Sequence, residues 1–98
     1  MIKIKLKENL ITIEGHANYS ETEDIVCASV SSIMYTTVNG ILELNHDAIT
    51  YTDERGLVTI KINSNDDVTK KLIDNMISLF EELETDYPKN VKIYKEEI

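Results

Sequence analysis

Tryptophan is absent from this chain of 98 residues, cysteine and proline occur once each, and glycine occurs three times. A single cysteine forms no internal disulfide and supplies no multi-thiolate zinc site. It is free to remain a reduced thiol, the condition a thiol nucleophile requires. So little proline and glycine, alongside 42% apolar residues, excludes the disordered and low-complexity classes. Cations are scarce too: ten basic against eighteen acidic residues give a formal charge of −8. Phosphate-backbone binding relies on clustered Lys and Arg, and here they are scattered, so no direct nucleic-acid ligand is expected. Lys3, Lys5 and Lys7 form one short stripe, read as a solvated strand face. A basic peptide or protein partner suits the acidic surface better, although charge steers encounter without identifying the partner. No apolar run approaches the roughly 20 residues that cross a bilayer. The opening "MIKIKLKENL" alternates too strictly for a signal peptide. The expectation is a single soluble, intracellular domain over residues 1–98, with no membrane partner.

Ile2, Ile4 and Leu6 alternate with the three lysines, the period of a half-buried strand. "KEN" supplies a tight connection and "LITIE" a second strand ending at Gly15, so residues 2–14 read as a β-hairpin. From Asp24 the period lengthens: Val26, Val30, Ile33, Thr37 and Ile41 mark one buried helix face, with Gly40 as a stop signal. "AITYT" and "LVTIKI" flank "DERG" as a second hairpin. "NSNDD" offers caps for a helix whose face is Val68, Leu72, Met76, Leu79 and Leu83, with Phe80 also facing the core. Pro88 ends that helix, and "VKIYK" closes the chain as a strand. The order ββα–ββα–β predicts an α+β two-layer sandwich, a mixed sheet with both helices packed on one face.

Chemistry concentrates in "GHANYSETEDIVCASVS", residues 15–31. Asp24 reads as a helix N-cap, which makes Cys27 the third helical residue, near free N–H groups and the positive end of the helix dipole. Such positions lower a cysteine pKa from about 8.5 toward roughly 3.5–7.5. A capping box of Ser20 and Glu23 is the rival register and sets Cys27 two turns in. Seven residues, Ala17, Asn18, Tyr19, Ser20, Glu21, Thr22 and Glu23, separate His16 from the cap as a loop. Extended, they reach about 23–25 Å, so a Cys27–His16 contact is permitted but not required. His16 would be the base and Cys27 the nucleophile, with first-turn amides for the oxyanion and Asp24 as cap or orienter of the imidazole. Two other readings stand beside it: a buried structural thiol in an apolar "IVCASV" setting, and a metal site of His16, Cys27 and His46 or Asp47. His46 itself is most simply a turn residue, and no metal or other cofactor is expected.

"GHA" followed by "DIVCASVS" resembles the ribosomal-processing cysteine protease family, Prp, and the length and element order match that family along the whole chain. The resemblance implies a bacterial cytoplasmic homodimer that removes a short N-terminal extension from a basic large-subunit ribosomal protein, cutting after a hydrophobic segment with aromatic residues. His16 and Cys27 would be the catalytic pair, and the loop from Ala17 to Glu23 would move to admit substrate. Many members carry a glycine shortly before the aspartate; this chain has Glu23 there, which implies a stiffer loop or a different path. The competing class is a non-catalytic dimeric module that docks on a ribosomal protein or a phage assembly protein.

Overall fold

The computed structural model describes residues 1–15 and 21–96, with side chains at 21–24 excepted. The elements run β1 (Ile2–Lys7), β2 (Leu10–Glu14), α1 (Glu21–Leu44), β3 (Ile49–Glu54), β4 (Leu57–Ile62), α2 (Asp67–Asp86) and β5 (Val91–Glu96). The sheet order is β3-β4-β2-β1-β5, antiparallel except where β5 lies parallel to β1. That is the mixed five-stranded sheet with two helices on one face that the pattern predicts.

Period-two alternation sets the layers. Ile2 and Ile4, then Ile11 and Ile13, Val58 and Ile60, Ile49, and Val91 are buried on the helix side. Lys3, Lys5 and Lys7 face outward, and Lys5 meets Glu14 at 3.4 Å across the hairpin. Exposed pairs of this kind contribute little. Each hairpin turns in two residues: Glu8 takes φ 47° in the first, and Arg55 and Gly56 take φ 50° and 82° in the second. Positive φ at both central residues of the second turn, and at the first central residue of the first, matches the right-handed twist of the strands. At the outer edge of the sheet the Ile93 N–H donates to Glu84 Oε2 at 2.8 Å, so a helix carboxylate covers part of the β5 edge.

Four expectations are corrected. The first helix begins at Glu21, so Asp24 lies inside it and is not the cap, and Glu21, Thr22 and Glu23 are helical rather than loop. Glu is a good helix former and its charge is favourable at a helix N-terminus, so nothing local delays the helix until residue 24. Gly40 does not stop α1, which runs on to Leu44. The buried ridges also differ by a fraction of a turn. In α1 it is Val26, Val30, Met34, Val38 and Ile41, and in α2 it is Thr69, Ile73, Met76 and Phe80, while Val68 is exposed. Thr69 tolerates burial because its hydroxyl donates to Asp66 Oδ2 at 2.9 Å. The Ile25–Leu44 segment has the length and apolar composition to cross a membrane, contrary to the sequence reading. Here its buried ridge packs against the sheet as a core helix.

Asp66, from the "NSNDD" run, caps α2 by accepting from the Thr69 N–H at 2.7 Å. The Ser64 hydroxyl, then the Thr69 N–H, hold its carboxyl below the usual carboxylate range. A carboxyl depressed in the folded state stabilises above its unfolded value of about 3.9 and loses that contribution as pH falls through the folded value. An Asp66→Ala protein should therefore melt below the parent at pH 7, the gap closing on acidification below about pH 4. A gap in Tm that stays constant to acid pH would contradict this.

Gly40 is exposed in mid-helix, and a Cβ built on it meets nothing within 4 Å. Gly40→Ala should stabilise by about 0.5–1 kcal/mol, since alanine loses less backbone entropy in a helix. Urea denaturation reads this directly as a higher midpoint at unchanged slope.

Candidate active site

Cys27 is the seventh residue of α1, half-buried against the core. The macrodipole acts mainly within the first turn, and an interior amide is already bonded to the carbonyl four residues back. Helix-start activation of the thiol, and an oxyanion hole made from the Cys27 amide, therefore both fall away. What the helix supplies instead is a ridge. Cys27, Ser31 and Tyr35 recur every four residues and form one wall of a cleft of about 210 Å³.

Ile2, Ile13 and Val58, three strand residues facing the helices, make the cleft floor, and Gly15, Asp53 and Gly56 line its sheet side. Gly15 has φ +107°, and a Cβ there would collide with the Met1 carbonyl oxygen. The backbone turn at the end of the second strand is thus reserved for glycine. His16 and the residues to Ser20 lie outside the described residues, so the Cys27–His16 contact, the path of residues 17–20 and the Asp24 side chain do too. Gly15 nonetheless places the residue before His16 on the same cleft as the thiol.

The five tyrosines are scattered along the chain, yet the fold brings two together. Tyr35 of α1 and Tyr51 of β3 meet edge to face, with ring centroids 6.3 Å apart at 72°. The Tyr35 hydroxyl donates to Asp53 Oδ2 at 3.4 Å. Burial, and then the hydrogen bond with Tyr35, push the Tyr51 phenol up to about 12. Asp53, Tyr35 and Gly56 are cleft residues that no local pattern announces, because α1 and the β3–β4 hairpin meet only in the folded sheet.

The proposed metal set does not assemble. His46 and Asp47 follow the far end of α1, whose Leu44 lies about 25 Å along the helix axis from Cys27. Zinc ligands sit within about 2.0–2.3 Å of one ion. Among the described residues no group of three His, Cys, Asp or Glu could hold a metal. A larger cleft of about 450 Å³ opens at the opposite end of the strands, between Leu6, Ile11, Ile62 and Ile73, and contains no thiol.

The family model for cysteine protease Prp matches residues 1–92. This chain belongs to that family. It is 29% identical over 87 residues to the ribosomal processing cysteine protease Prp of Staphylococcus aureus, covering 85% of this chain and 82% of that one. The Prp of Mycoplasma genitalium is 33% identical over 63 residues, 63% of this chain and 61% of that one. The S. aureus Prp structure solved with a substrate peptide superposes with a TM-score of 0.89 at 23% identity, covering 98% of this chain and all of that one. A second structure of that protease, with a covalently linked product peptide, gives 0.87 at 24% identity. The chain is accordingly a cysteine protease of the Prp family, and the binding-module reading is set aside.

Proposed function

We propose that this Prp-family protease removes a short N-terminal extension from a bacterial large-subunit ribosomal protein, with Cys27 as nucleophile and His16 as general base and acid. The observation that carries the reading is that the chain's one thiol lines an open, apolar-floored cleft whose wall also includes Gly15, the residue before His16. The Cys27 thiolate attacks the scissile carbonyl carbon after its proton passes to His16. The carbon–nitrogen bond breaks as the imidazolium returns that proton to the leaving amine, giving a thioester. Water, deprotonated by His16, then releases the N-terminal fragment and restores the thiol. Ser31, one turn along α1 in the same cleft, offers a hydroxyl donor near the reacting carbonyl. An aromatic side chain of the substrate suits the floor of Ile2, Ile13 and Val58.

The S. aureus relative was solved with a substrate peptide and with a covalently linked product peptide, as a thioester route through this chain's thiol would also give. The formal charge of −8 favours a basic protein over nucleic acid as the partner. The reading includes a homodimer working in the bacterial cytoplasm, where the single cysteine stays reduced. Incubation with a peptide carrying such an extension, followed by mass spectrometry, should show one cut after its hydrophobic, aromatic segment. An intact peptide after prolonged incubation with active-site-titratable protein would end the proposal.

A further inference from the structure

We infer that Asp53, positioned by Tyr35, is a specificity determinant that selects a cationic substrate side chain three or four residues from the scissile bond. This rests on the proposed protease reading and adds to it a residue preference. Three observations support it.

The first is placement. Asp53 pairs with Val58 in the β3–β4 ladder, on the helix-facing side with Ile49 and Tyr51, where burial decreases along the strand until the carboxylate reaches the cleft. Its neighbours on that face are Tyr51 and, across the ladder, Val58, and the exposed carboxylate adds nothing to their packing. The second is how it is held. Among the described residues its side chain has one hydrogen-bond partner, the Tyr35 hydroxyl on Oδ2, and no cation pairs with it. Tyr35 is itself braced edge-on by Tyr51. A carboxylate accepts about four hydrogen bonds, so Oδ1 and the second lone pair of Oδ2 remain available to a donor in the cleft. The third is distance. Cys27 and Tyr35 are eight residues apart on α1, about 12 Å along the axis. An extended peptide advances about 3.3–3.6 Å per residue, so a substrate lying along this wall from the thiol reaches Asp53 three or four residues away. The tyrosine rings flanking the carboxylate also suit the methylene stem of lysine or the plane of arginine.

An inward-pointing charge on an edge strand has a second use, which is to block pairing with another sheet. That role predicts no dependence on substrate charge, so the two separate experimentally. Peptides with Lys, Gln or Glu placed singly at the third or fourth residue on either side of the scissile bond are compared by kcat/KM. The parent enzyme should cleave the Lys peptide five- to tenfold faster than the Gln peptide at one of these positions, with the difference in KM and shrinking at high salt. Asp53→Asn should abolish that preference, bringing the Lys and Gln peptides to equal kcat/KM, and Asp53→Lys should transfer it to the Glu peptide. Tyr35→Phe should narrow the Lys-over-Gln ratio, with the change in KM rather than kcat. Equal losses on all three peptides, or a parent enzyme indifferent to charge at all four positions, would overturn the assignment. If the parent cleaves no peptide, the protease reading fails by itself. The preference is then read as the affinity of Cys27→Ala protein for the same labelled peptides by fluorescence anisotropy, where equal affinity for Lys and Glu peptides overturns it.

Discussion

A Cys27→Ala protein is expected to lose peptide cleavage by a factor of about 10³ or more while melting within a few degrees of the parent. Both halves of that result matter, because a thiol in a helix can be core or chemistry. Cys27 is half-buried and touches the cluster around Val26 and Val30, so deleting its sulfur costs part of one small side chain's burial, about 1 kcal/mol or less. The covalent route, by contrast, has no substitute: alanine cannot form the thioester, and no second cysteine exists to take its place. Serine at the same position keeps the shape and supplies a far weaker nucleophile, so Cys27→Ser should be as inactive as alanine and just as stable. His16→Ala should likewise lose turnover, since the proposed mechanism passes the proton of both half-reactions through that imidazole. Intact-protein mass spectrometry of the parent, quenched early, should show the N-terminal fragment attached through Cys27. Normal turnover by the alanine protein would remove the nucleophile assignment, and a loss of Tm without loss of cleavage would return Cys27 to the core.

The order of elements could be read from the sequence because each carries its own period. Lysines alternating with Ile2, Ile4 and Leu6 can only be a half-buried strand, and Pro88 follows directly on the Tyr87 cap of α2. The sheet order was not legible. β1 lies between the central β2 and the edge strand β5, and the β1–β5 pairing spans nearly the whole chain without a local signal. The helix faces show how near misses arise. Choosing Leu72 and Leu79 as core leads to a stripe one residue away from Ile73 and Phe80, because hydrophobicity alone ranks Val68 above Thr69. The bond between the Thr69 hydroxyl and Asp66 reverses that ranking, and it exists only once the cap has formed. At the site, the words around His16 and Cys27 were visible as text. The start of α1 at Glu21, which removes the helix-dipole account of the thiol, was visible only as the rival register. Tyr35 and Asp53 could not have been joined from sequence, since eighteen residues and a chain reversal separate them.

Gly15→Ala should be the most damaging single methyl group that can be added near the site, lowering Tm by more than 10 °C and taking activity with it. The same substitution at Gly40 is expected to stabilise, and the contrast isolates the cause. Gly40 sits in open space in an ordinary helix, whereas Gly15 has φ +107° and faces the backbone of the first strand. Adopting the left-handed region costs an alanine roughly 1–2 kcal/mol. The added Cβ also overlaps the Met1 carbonyl oxygen and lies 3.1 Å from Ile2 Cα, atoms of a backbone rather than of a side chain that can swing aside. That backbone is fixed in turn, because the Ile2 N–H donates to the Asn90 carbonyl at 2.8 Å and Ile2 is buried. Overpacking of this kind adds about 1–3 kcal/mol. Together they come to about 3 kcal/mol, and a domain this size loses about 4–8 °C per kcal/mol. Gly15→Asn separates the two causes. Asparagine tolerates positive φ better than alanine, so an equal loss of Tm in both assigns the effect to the collision, and a clearly smaller loss in asparagine assigns it to the backbone angle. Either way the strand end that aims the chain toward His16 is displaced, so turnover should fall at temperatures where both variants are still folded, and full activity in a folded Gly15→Ala protein would show that the turn does not position the base.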